Sequence, residues 1–88
     1  MHAAHLVKMA NAIGAFFASD AELDPARAHA GIADHLRRFW EPRMRRALLA
    51  WLDDHGGEGL TPLVRAAIVA HREPLTPAPA TGAETGAR

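Results

Sequence analysis

The chain reads as an all-α protein, a small bundle of three to four short helices followed by a flexible C-terminal tail. Three observations predict this. Apolar residues recur three and four apart over most of the length, the period of a helix face, and no stretch alternates with the period of two that marks a strand. Three X-Pro steps, Asp24-Pro25, Glu41-Pro42 and Thr61-Pro62, stand where successive apolar runs begin. From Pro74 the chain turns to Pro, Thr, Gly and Ala without periodicity, a composition that cannot offset the entropy of ordering. The division is therefore a helical domain over residues 1–73 and a tail over 74–88.

The first helix is expected from about His2 to Ala18, with Leu6, Met9, Ala10, Ile13, Phe16 and Phe17 on one stripe and Lys8 and Asn11 away from it. Gly14 borders the stripe, where it would permit close helix approach. Asp24-Pro25 opens the second helix, since Asp is a favoured N-cap and Pro fits the first turn, where its missing N–H costs nothing. Its inner face reads Ala28, Ile32, Leu36 and Phe39. Glu41 must leave the α region because proline follows it, so a third helix starts at Pro42 with Met44, Leu48, Trp51 and Leu52 inward. Gly56-Gly57 ends it. Asp53 and Asp54 sit unfavourably near that end, so another group should hold the turn. Thr61-Pro62 opens a fourth helix with Leu63, Val64, Ala67 and Ile68 as its core face. Ala66, Val69 and Ala70 leave its other side weakly polar. Cover by a partner and simple exposure of small side chains are equally good readings of that side.

Composition bounds the function. An 88-residue chain makes one domain, and a domain of this size buries only roughly 60% of its unfolded surface. Hydrophobic residues make up 49% of the chain, but 20 residues are alanine, so the few large apolar side chains must serve both the fold and any interface. There is no cysteine, which removes disulfides and thiolate metal ligands and fits a cytoplasmic location. The N-terminal segment is interrupted by Lys8 and Asn11 and reads as neither a secretory signal nor a membrane span. Formal net charge is zero, so no overall field draws the chain to nucleic acid or membrane.

Catalytic and metal patterns are missing from the sequence. His2 and His5 share a helix face, but no third ligand lies at a usable spacing. There is no nucleophile elbow, phosphate loop or dinucleotide fingerprint. Gly56, Gly57 and Gly59 follow a helix and read as a turn.

The segment His35–Arg46, HLRRFWEPRMRR, holds five of the ten Lys/Arg residues. Arg37, Arg38, Arg43, Arg45 and Arg46 with Trp40 are predicted to form a docking surface, because Arg and Trp are the residues that partner surfaces favour. Phe39 and Met44 are assigned to the core, and Pro42 to the corner that aims the arginines. Phosphates of a nucleic acid, a carboxylate-lined protein groove, and solvent with nearby Asp34 and Glu41 are the competing partners. Neutral net charge disfavours nucleic acid.

Three blocks, HLVKMANAIGAFF, IADHLRRFWEPRMRRALLAWL and GGEGLTPLVRAAI, in this order, resemble the delta subunit of NAD-dependent, molybdenum-containing formate dehydrogenase over roughly residues 5 to 70. Glu41 stands where that family tends to carry Asp. The resemblance implies a non-catalytic accessory subunit that aids assembly, cofactor maturation or stability of the catalytic (alpha) subunit. It places the molybdenum bis-pyranopterin, the iron–sulfur clusters and FMN in other subunits, with none in this chain. Neutral charge leaves neither nucleic acid nor membrane as the expected partner, and the excess apolar surface leaves self-association of the isolated chain open. The alternatives are a small helical nucleic-acid-binding or regulatory domain and a chaperone for the molybdenum-pterin cofactor.

Overall fold

A computed structural model describes residues 2–20 and 22–78. Helix α1 spans Ala3–Ala18, α2 Pro25–Phe39, α3 Pro42–His55 and α4 Pro62–Ala70, and a short α5 covers Arg72–Leu75. The described residues contain no strand. Each of the three predicted prolines occupies the first turn of its helix, where its lost N–H would be unpaired anyway. Asp24 Oδ1 accepts from the Arg27 N–H at 2.8 Å, and Thr61 Oγ1 accepts from the Val64 N–H at 3.4 Å. Glu41 makes no such bond, as its longer side chain leads one to expect. Helix α3 stops on Gly56, whose φ of 65° lies in the left-handed region open to a residue without a Cβ.

Pairwise contacts give the arrangement. Phe17 lies against Gly31, and Ile13 lines the same groove as His35, so α1 and α2 run antiparallel. Asn11 meets Thr61 and Gly14 meets Val64, so α4 runs alongside α1 in the same sense. Helix α2 packs most extensively on α4. Leu6, Ile32, Leu36, Leu48, Val64 and Ile68 are each at most 2% exposed and form the centre, and no polar or charged residue is buried there among the described residues. Burial at roughly 25 cal/mol per Å² of apolar surface holds such a core together.

Gly14 sets the spacing of α1 and α4. A Cβ at this position would collide with Val64 Cγ2. Val64 is fully buried, and its branched side chain has little rotamer freedom with which to yield.

The Gly56–Leu60 connection is held from three helices. Asn11 of α1 donates to the Gly59 carbonyl at 2.9 Å and accepts from the Thr61 N–H at 3.0 Å. Trp51 Nε1 of α3 donates to the Glu58 carbonyl at 2.8 Å, and Arg65 Nε of α4 to the Gly56 carbonyl at 3.0 Å. These donors are the groups that hold the turn beside Asp53 and Asp54. Asn11, which the periodicity sets apart from the core stripe, is a bracket between α1 and α4.

Helical structure runs past the predicted boundary at residue 73, because Leu75 is 2% exposed and joins the core. Arg72 of α5 grips Asp53 of α3 with two bonds of 2.7 and 2.5 Å. Residues 79–88 of the predicted tail lie outside the described residues.

Two outcomes are expected. Gly14→Ala gains helix propensity worth about 1 kcal/mol but forces α1 off Val64, a cost of about 1–3 kcal/mol for overpacking. Net destabilisation in urea unfolding is expected, and a stabilised variant would contradict the close approach. The Arg72 guanidinium hydrogen-bonded to Asp53 holds its carboxyl below the usual carboxylate range. A lowered folded pKa contributes stability that is present above the unfolded pKa and is lost as pH falls through the folded value. Asp53→Asn should therefore be less stable than the parent at neutral pH, with the gap closing as pH drops below the carboxylate range in thermal melts.

Candidate interaction surface

The corner between α2 and α3 decides which aromatics reach the surface. Pro42 keeps Glu41 out of the α region, and Glu41 is extended at φ −62°, ψ 152°. Trp40 is extended as well, at φ −89°, ψ 133°, although its N–H still bonds to the Leu36 carbonyl. The helical spacing that assigns Phe39 to the core therefore ends at Phe39 itself. Trp40 turns inward and is 5% exposed, while Phe39 turns outward and is 70% exposed. Both assignments made from the sequence are reversed. Trp40 belongs to the core cluster with Leu36 and Leu48, where Met44 packs as expected. Pro42 opens α3 at the corner.

The arginines divide into three kinds. Arg37 and Arg38 converge on Asp34, at 3.3 and 3.0 Å, all three side chains about half exposed or more. The hydrogen bond from Arg38 lowers the Asp34 pKa. Such exposed pairs contribute little to stability. Arg45 is half-buried. One of its terminal nitrogens points at the Leu75 carbonyl at 3.5 Å, and its Nε is buried with no partner among the described residues. It lies beneath the C-terminal turn and is not an outward docking group. Arg43 and Arg46 are exposed on α3 and form no ion pair among the described residues.

A second aromatic also leaves its predicted stripe. Phe16 is 73% exposed and meets Phe17 edge to face, ring centroids 5.4 Å apart. Together with Ala12 and Ile13 of α1 and His35 of α2, the two rings line an open groove of about 490 Å³. The His35 ring lies 4.8 Å from the ring of Phe39, which carries the apolar surface on toward the α2–α3 corner. Phe16 and Phe39, at 73% and 70%, are the most exposed large hydrophobic residues among the described residues. Sequence reasoning missed the exposure of Phe16 and Phe39. Five large apolar residues, Leu6, Met9, Ile13, Phe16 and Phe17, crowd the α1 stripe, and that surplus is the signal that could have found Phe16.

Among the described residues no group of three His, Asp or Glu converges to hold a metal ion. Among the described residues no helix is long and apolar enough to cross a membrane.

Residues 5–68 match the family model described as NADH-dependent formate dehydrogenase delta subunit FdsD. No curated protein and no solved structure gives a significant match. The matched span contains Phe16, Phe39, Trp40 and all five arginines of the corner segment.

The reversal at the corner is open to direct test. Trp40→Ala should cost about 3–5 kcal/mol in urea unfolding, as for a buried aromatic. Phe39→Ser should stay within about 0.5 kcal/mol of the parent. Equal costs, or the opposite order, would return Phe39 to the core.

Proposed function

Because the chain belongs to the NADH-dependent formate dehydrogenase delta-subunit family, we propose that it is a non-catalytic accessory subunit of that enzyme. It docks on another subunit, with the molybdenum-containing catalytic subunit as the partner we favour, and supports its assembly, cofactor maturation or stability. The location proposed is the cytoplasm. Formate oxidation, electron relay and NAD reduction then belong to other subunits, which hold the pterin, the iron–sulfur clusters and the flavin. The absence of cysteine supports this division, since this chain has no thiolate with which to hold a cluster.

One observation carries the docking role: Phe16, exposed at 73%, lines a groove between α1 and α2, and Phe39, exposed at 70%, packs on His35, which lines the same groove. Large aromatics that desolvate in a central contact supply most of the affinity of a protein interface. Arg43 and Arg46 lie just beyond the corner, free to meet carboxylates at its rim. Rim charges of this kind set orientation and association rate more than affinity. The docking surface is thus the aromatic groove with its arginine margin, in place of a tryptophan-centred one.

Co-purification tests it. A tagged Phe16→Ser/Phe39→Ser variant should recover the other formate dehydrogenase subunits at least about tenfold less well, the loss expected from removing two anchors of about 1–2 kcal/mol each. Arg43→Glu/Arg46→Glu should give a smaller loss that deepens at low salt. Parental recovery and parental formate-dependent NAD reduction with the double serine variant would place the docking surface elsewhere.

A further inference from the structure

Helix α5 is held more loosely than the rest of the bundle. Its 4 residues are far too few for a helix that is stable by itself. Pro74 within it lacks an N–H and disfavours the helical conformation of Glu73 before it. The Leu75 N–H reaches back to the His71 carbonyl at 3.3 Å, and the Thr76 N–H to the Arg72 carbonyl at 2.9 Å. Leu75 is the single buried residue of α5. An open pocket of about 370 Å³ runs along its seam with α2, lined by Ala30, Ala33, Asp34, Arg37, His71 and Pro74, so that seam is not close-packed as a core is. Arg45 of α3 lies against the same turn. Its Nη1 reaches the Leu75 carbonyl only at 3.5 Å, too long for a strong bond, and its Nε is buried with no partner among the described residues. A buried donor left unpaired works against the state that buries it. The remaining tie, Arg72 to Asp53, has both side chains about half exposed, and pairs at such exposure contribute little.

We infer that α5 is a strap that opens about His71 as a unit while α1 to α4 stay folded. The hinge is in place, since His71 breaks the helix between α4 and α5 at φ −116°, ψ 31°. Opening gives up the burial of one leucine and one exposed ion pair, whereas unfolding the bundle gives up the whole core, so the two lie far apart in free energy. Opening also relieves the defect at Arg45, whose Nε regains water. With the strap closed, that guanidinium is covered. With the strap open, it stands in solvent beside the apolar seat that Leu75 leaves in the core cluster. The fifth arginine of the corner segment is thus a cryptic one, covered or presented according to the position of α5. This holds for the chain alone, whatever it docks on.

Hydrogen exchange of the full-length chain tests it. The Leu75 and Thr76 amides should exchange at least ~100-fold faster than the Ile68 amide of α4, as a local opening does relative to a global one. Their rates should not respond to dilute urea, because the opening exposes little surface, while the Ile68 rate should rise with it. Arg45→Met removes the unpaired donor and should slow exchange at Leu75 and Thr76 at least about threefold. An arginine that anchored the turn would give the opposite sign. The chain has no cysteine, so single Leu→Cys changes report the opening by thiol labelling without interference. Leu75 and Leu36 are both at most 2% exposed, yet Leu75→Cys should label at least ~100-fold faster than Leu36→Cys. Strap amides as protected as Ile68, faster exchange in Arg45→Met, or equal labelling of the two thiols would each overturn the inference.

Discussion

The packing of Trp40 at the α2–α3 corner is the constraint on which the rest of the structure depends. Proline at position 42 fixes Glu41 in an extended conformation, and Trp40 follows it out of the helix. The indole then fills the space between the end of α2 and the start of α3, in the same cluster as Leu48 and Leu75. A core this small has few large side chains, and one ring of this size supplies much of its volume. With the interior position taken by Trp40, the neighbouring Phe39 is left outside, where its ring packs on His35. Surface and core at this corner are two sides of one packing choice.

The other end of the bundle depends on hydrogen bonds. The glycine-rich connection between α3 and α4 presents carbonyls that no helix ladder can satisfy. Asn11, Trp51 and Arg65 donate to them from three different helices. The loop is therefore a junction where α1, α3 and α4 are tied together. Close approach at Gly14 keeps α1 near enough for Asn11 to reach.

Helix starts were legible in the sequence because proline and its preceding cap residue act locally. The inner faces of α2 and α4 were legible too, since Ile32, Leu36, Val64, Ala67 and Ile68 lie within regular helix and are all buried. The failures fall where regularity ends. Phe39 and Trp40 exchange places because the backbone leaves the helix between them. Phe16 lies on the correct stripe but near the end of α1, where no neighbour covers it. Leu75 was hidden by composition, since a Pro-rich segment can still place one leucine in a core once a short turn is anchored by Arg72 and Asp53. Asn11 was illegible because its partners lie 48 and 50 residues away. For the candidate surface, arginine and aromatic content pointed to the corner segment, but not to which aromatic faces out.

That separation between Asn11 and its partners bears on how the chain comes together. Most contacts in a helical bundle are local and form fast, whereas those that join distant segments must wait for loop closure. Helix α1 leaves the ribosome well before α4, the helix that covers its Gly14 and Asn11 side. During synthesis the apolar stripe of α1 has only α2 and α3 against which to fold until α4 is available. The nascent chain therefore passes through a stage in which more of α1 is uncovered than in the finished protein, and docking of α4 with its glycine loop closes that stage.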